Sequence, residues 1–136
     1  MMKNRNLEHK DDWRTPKYLY EELNNEFNFT FDPCPIFPEF DGLTVSWGKR
    51  NFINPPYSRK LKEAFIRKAY EESKKRNLCV MLLPVSTSTK IFHEIIYPNA
   101  KIRFLKGRIK FLGHNTKGEW VTNNCGMHDS MIVIFD

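Results

Sequence analysis

The sequence predicts an α/β fold: a doubly wound, mostly parallel sheet with helices on both faces. Three observations predict it. Segments of strand and helix character alternate along the chain, the order expected of βαβ units. The stretch "LCVMLLPV", residues 78–85, is an unbroken apolar run of strand length, as a central strand covered on both faces requires. The 136 residues are 40% hydrophobic and 14% aromatic, enough for one core and too apolar for a disordered chain.

The elements follow in order. Residues 1–12 read as a polar N-terminal arm, and residues 13–136 as a single domain. In "WRTPKYLYEELNNEF", Thr15 suits a helix cap and Pro16 the first helical position. Leu19, Leu23 and Phe27 then recur every four residues and give the helix one apolar face. "FNFTFDP" alternates Phe27, Phe29 and Phe31 with polar residues and reads as a strand ending at Asp32 and Pro33, so Phe27 is claimed by two elements. Residues 33–48 carry three prolines and two glycines and read as irregular, with a short strand at "LTVSW". "RNFI" is a brief strand that runs into Asn54-Pro55-Pro56-Tyr57. Ser58 suits the cap of a long helix to Arg76 with Leu61, Phe65 and Ala69 facing inward. After the apolar strand, "STSTKIFHEIIYP" predicts a short helix stopped by Pro98. "KIRFLKGRIKFLG" reads as two strands turning near Gly107, residues 113–129 as a polar loop, and "SMIVIF" as the last strand.

Charge and cysteine usage narrow the function. Twenty-two basic and 16 acidic residues give a formal charge of +6, which favours an acidic partner, most commonly nucleic acid. Cys34, Cys79 and Cys125 are scattered and odd in number, which fits a reducing cytoplasm better than a disulfide framework. Cys125 and His128 form half a metal site with no second pair, so no metal is expected. The N-terminus lacks the apolar stretch of a signal peptide, and the longest apolar run is far too short to span a membrane.

In a doubly wound sheet ligands bind beyond the carboxyl ends of the strands. Three such ends here are "FDPCP", "INPPY" and "LLPVSTST". Asp32 at the first fits either a solvated strand end or a nucleoside-containing cofactor. G-x-G-x-x-G and the P-loop are both absent, which disfavours dinucleotides and nucleoside triphosphates. At the second end, Pro55 and Pro56 have fixed φ and no N–H, so they make a stiff turn whose carbonyls are left to accept hydrogen bonds. The Asn54 amide oxygen is another acceptor. Two convergent acceptors suit a planar amino group, and Tyr57 offers a ring face to whatever carries it. A base with an exocyclic amine fits all three features; an ordinary proline-stiffened loop is the alternative.

"DWRTP", "FNFTFDPCP", "FDGLTVSW", "NFINPPYSR", "MLLPVSTSTKIFHE" and "FLKGRIKF" occur in the order seen in small phage-type DNA N6-adenine methyltransferases, which the chain resembles over residues 11–136. Asn-Pro-Pro-Tyr by itself also occurs in methyltransferases of RNA and of protein glutamine. The resemblance implies a minimal class I methyltransferase, Rossmann-like, using S-adenosylmethionine, with no separate target-recognition domain. It makes Asn54, Pro55, Pro56 and Tyr57 the catalytic motif. It puts Trp13, Thr15, Pro16, Asp32, Pro33 and Cys34 at the cofactor, with Asp41 near its adenosine. The pattern departs from larger relatives in lacking their glycine pair, and only 21 residues lie between Asp32 and Asn54. The cofactor pocket is therefore expected to be abbreviated.

The expected substrate is double-stranded DNA with the target adenine flipped out of the stack. Arg103, Lys106, Arg108 and Lys110 form a basic cluster, read as DNA contact, with the lysines on phosphate and Arg108 on a base or a phosphate. A solvated hairpin face is the alternative for this cluster. Residues 86–90 are a further candidate contact. A methyltransferase of RNA or protein and a non-catalytic nucleic-acid-binding remnant are the competing functions, and the oligomeric state is left open.

Overall fold

The computed structural model describes residues 13–35, 40–114, 120–125 and 129–136; at 13, 111–114 and 120–125 only the backbone path is described. The expected arm, residues 1–12, lies outside the described residues, as does His128.

Strand β1 (Trp13–Arg14) leads into helix α1 (Lys17–Phe27), which begins at Pro16 without a side-chain cap. Thr15 is therefore not the cap; its hydroxyl is engaged elsewhere. Phe27 belongs to the helix. Asn28 ends it in the left-handed region (φ 55°) and donates its N–H to the Asn24 carbonyl at 2.8 Å. That turn spends the residues that would have begun the predicted strand. What remains of it is one parallel bridge, Phe31 to Asn51.

"LTVSW" is likewise a turn and not a strand: the Asp41 carboxylate accepts the Leu43 N–H at 3.0 Å and its carbonyl accepts the Thr44 N–H. Strand β2 (Arg50–Ile53), helix α2 (Arg59–Lys74) and strand β3 (Leu78–Pro84) form the one full βαβ unit among the described residues, with β2 parallel to β3. Arg76, expected to close α2, has a left-handed φ of 67° just past it. A π-helical turn (Phe92–Ile96) runs into α3 (Tyr97–Asn99), so the helical path passes through Pro98.

Strands β4 (Lys101–Phe104) and β5 (Lys110–His114) do not pair around Gly107, which takes φ 76°. They belong to different sheets. β5 pairs with β1 and with β6 (Trp120–Cys125), a strand within the segment expected to be a loop. The main sheet has the order β2-β3-β7-β4, where β7 is Ser130–Phe135.

That sheet is mixed, not mostly parallel: β7 lies between β3 and β4 and is antiparallel to both. The reason is the connection. A parallel neighbour needs a crossover of a dozen or more residues, usually helical. Between β4 and β7 the described chain forms a hairpin instead. It returns to the end of the sheet that it left, where Leu105 and Val85 donate to the carbonyls of Ser130 and Asp129.

The expectation of helices on both faces holds. Ile53, Met81, Leu83, Met131 and Val133 point to the α2 side and pack with Trp47, Phe65 and Ile66. Phe52, Val80, Leu82, Ile132 and Ile134 point to the α1 side and pack with Leu19 and Leu23. The alternation is the two-residue period of the pleat, doubled because both faces are covered. Each such side chain stabilises the fold by about 1.5–3 kcal/mol on burial.

Candidate active site

β2 ends at Ile53, and the next residues project past the sheet. Pro55 and Pro56 are buried, while Asn54 and Tyr57 are partly buried. Asn54 Nδ2 donates to the Thr15 Oγ1 at 3.1 Å. Thr15 is itself buried, and it stands between β1 and α1. Two candidate segments 39 residues apart thus meet in one hydrogen bond. Tyr57 packs against the α1-side cluster, and burial pushes its phenol pKa upward.

The first strand end lies alongside. Phe31 and Asn51 bridge at the edge of β2, so Asp32, Pro33 and Cys34 leave from beside that strand. Asp32 folds back on its own loop and accepts the Cys34 N–H at 2.8 Å. Desolvation pushes the Asp32 carboxyl up to about 6, against the opposing effect of that hydrogen bond. The carboxyl reaches Tyr20 of α1: burial raises the Tyr20 phenol pKa, and the Asp32 charge raises it further.

Asp41 is tied to the same loop through its neighbour. A Cβ placed on Gly42 would stand 1.9 Å from the Pro33 carbonyl oxygen, so only glycine permits this approach. The Trp47 indole N–H donates to the Gly42 carbonyl at 2.8 Å and fixes the turn from the other side. Asp32, Pro33, Cys34 and Asp41 therefore belong to one loop pair, while Thr15 meets Asn54 from the β1–α1 junction and Pro16 starts α1. Trp13 is placed by its backbone alone, as the β1 residue paired with Gly113.

Three structural residues escaped the sequence reading. Tyr20 was an unremarked helix position next to the Leu19 core stripe. Gly42 had a legible signal, a glycine directly after Asp41 in the proline-rich loop. Asn51, fully buried, exchanges two hydrogen bonds with Gly48 and donates to the Leu78 carbonyl at 3.0 Å, binding the start of β2 to β3.

The basic cluster divides. Arg103 is committed to Glu26 of α1 through a two-pronged hydrogen bond, one arm 2.7 Å, and lies over the Phe27 ring at 5.5 Å. It serves the α1–β4 contact. Arg108 is 3.6 Å from Asp129 in a pair exposed on both sides. Lys106 and Lys110 are exposed on either side of the buried Ile109. Among the described residues no three His, Cys, Asp or Glu gather to hold a metal, and no helix is long and apolar enough to cross a membrane.

Fold and site together define an α/β protein that collects a carboxylate, an amide and a stiff acceptor turn at neighbouring strand ends of a sheet covered on both faces. That is the position at which such sheets take their ligands. The chain belongs to the DNA N-6-adenine-methyltransferase (Dam) family, which it matches over residues 3–136. It is similar to a DNA N-6-adenine-methyltransferase of Escherichia phage T1, with 31% identity over 110 residues, 71% of this chain and 45% of that relative. It therefore spans less than half the length of the curated relative it matches. No solved structure matches it.

Proposed function

We propose that the protein is an S-adenosylmethionine-dependent methyltransferase acting on N6 of a flipped-out adenine in double-stranded DNA, built on an abbreviated class I methyltransferase domain. The observation that carries the reading is the Asn54–Thr15 hydrogen bond, because it joins the acceptor turn to the segment assigned to the cofactor.

The residues present fit the cofactor. Asp32 is a partly buried carboxyl that makes no ion pair among the described residues, and its ionised form is held at a desolvation cost. A cationic ligand is what such a group lacks. Asp32, Thr15 and Pro16 would hold the methionine end of the cofactor, with the turn at Asp41 and Gly42 closing its far side. When bound, S-adenosylmethionine supplies a methyl group on a sulfonium.

The remaining work belongs to the chain. Asn54 Oδ1 and the Pro55 carbonyl accept the two hydrogens of the adenine amine. This opposes delocalisation of the nitrogen lone pair into the ring and holds the nitrogen in a reactive, pyramidal geometry. The acceptors are preorganised by proline rigidity and by Thr15, so little reorganisation is left for the reaction itself. Tyr57 stacks on the flipped base, worth about 1–3 kcal/mol, which offsets the few kcal/mol that flipping costs. Lys106, Arg108 and Lys110 hold the duplex.

Radiolabelled methyl transfer, offered to DNA, RNA and protein in parallel, tests this. Label is expected in DNA as N6-methyladenine. Asn54→Ala should cut the rate about 10²–10³-fold and keep S-adenosylhomocysteine affinity. Label in RNA or protein alone redirects the activity. A folded Asn54→Ala protein working at the wild-type rate makes the turn a stiff loop only.

A further inference from the structure

On the α2 side of the sheet, away from Tyr57, a cavity of about 380 Å³ opens between the start of α2 and the end of β3. Its size is that of a ligand site. Its floor is apolar, with Ile66, Leu83 and Met131, and its rim carries Arg59, Lys62, Lys90, Ser86 and Ser88. Glu63 is the one carboxylate of the lining. It is already bonded to Arg59 Nε at 3.1 Å. Ser88 and Lys90 make no hydrogen bond or ion pair among the described residues, whereas the Thr89 hydroxyl is spent on the Ser86 carbonyl at 2.8 Å.

We infer that this cavity is a phosphodiester site, which holds the backbone of the DNA strand beside the target nucleotide. The inference rests on the proposed activity for its partner but not for its chemistry. Three cations and two donor hydroxyls against one neutralised carboxylate select an anion with several oxygens. The apolar floor suits the face of the attached sugar. The place is right for a strand whose base enters the Asn54 turn: Arg59 follows Tyr57 by two residues, and β3, which ends in the cavity, is the parallel neighbour of β2. Neither residues 59–62 nor residues 86–90 belong to the cluster at Lys106 and Lys110, so this contact to the duplex would be separate from that one. No glycine-rich phosphate loop is present, which argues for a diester in a chain over a free nucleotide.

The experiment is fluorescence anisotropy of a labelled random-sequence DNA duplex across a KCl series. It uses the wild type, Lys90→Ala, Lys62→Ala/Lys90→Ala, Ser88→Asp, and Lys74→Ala at the opposite end of α2 as control. Each lysine that touches phosphate should lower the log–log salt slope by about 0.9 when removed, Ser88→Asp should weaken binding at every salt concentration, and Lys74→Ala should change nothing. Inorganic phosphate should compete with DNA for the wild type and compete less for the double variant. An unchanged slope in the double variant overturns the site, as does a wild type that does not bind DNA. Phosphate binding that the variants abolish, with the DNA slope unchanged, shows a free-anion site and rejects the DNA assignment. Slope changes in a protein that transfers no methyl group would remove the proposed activity and leave this site in place.

Discussion

Asp32 gives the sharpest test of the cofactor pocket, because its charge is held against the interests of the fold. Its carboxyl moves from an ordinary value of 3.8 up to about 6, chiefly through desolvation. A carboxyl whose folded value lies above its unfolded one binds its proton more tightly when folded. Between those two values the folded protein carries more proton than the unfolded chain, so stability falls as pH rises through that window. Above it the loss is complete. A shift of about two units corresponds to at most about 3 kcal/mol. Asp32→Asn keeps the Oδ1 that accepts the Cys34 N–H and cannot ionise. It should match the wild type at about pH 3, where Asp32 is almost wholly protonated in both states, and exceed it by up to about 3 kcal/mol at neutral pH. Urea unfolding followed by circular dichroism from about pH 3 to about pH 8 reads the gap directly. Calorimetry on the same variant should show a large loss of S-adenosylhomocysteine affinity. Stability gained where binding is lost is the mark of a charge kept for a ligand. An Asp32→Asn protein no more stable than the wild type at neutral pH, or one whose advantage does not vary with pH, refutes the reasoning.

Three other outcomes follow from the geometry. Thr15→Val removes the partner of Asn54 Nδ2; a hydrogen bond of about 0.5–1.5 kcal/mol predicts a 2- to 12-fold fall in kcat, largely restored by Thr15→Ser, and an unchanged rate would detach Thr15 from the catalytic amide. Gly42→Ala forces a Cβ against the Pro33 carbonyl and should cost about 1–3 kcal/mol or more, seen as a lowered Tm together with weaker S-adenosylhomocysteine binding; wild-type behaviour in both would mean that the two loops do not act as one pocket. Arg103→Ala should lower stability through its Glu26 and Phe27 contacts and leave the salt dependence of DNA binding alone, whereas Lys106→Ala and Lys110→Ala should each reduce the log–log slope by about one; the reverse pattern would return Arg103 to the interface.

Much of this protein is determined locally and was legible in its sequence. The four-residue recurrence of Leu19 and Leu23, the unbroken run from Leu78 and the closing "SMIVIF" state which faces are buried. Side-chain direction follows a fixed period of 3.6 or 2 along the chain, so pattern alone suffices. The stiffness of the chain after Asn54 was equally plain, because proline restricts φ wherever it stands. What tertiary structure decided is pairing. Phe31 keeps one bridge where a strand was expected, because the Asn28 cap consumes the residues before it. "WVTNNC" joins strand-favouring Trp, Val and Thr to two strand-averse asparagines and becomes β6 because β5 supplies partners, strand preference being largely a matter of context. Arg103 looked like part of a basic cluster until α1 brought Glu26, 77 residues away in sequence, to its guanidinium. The place of β7 between β3 and β4 follows from a hairpin return that no local pattern encodes. The Thr15–Asn54 bond has the same origin: each residue's chemistry can be read from its letter, but their meeting depends on the fold bringing together the ends of β1 and β2, strands of different sheets. Local sequence sets which surface each segment must bury, and the global path of the chain chooses which segments bury it together.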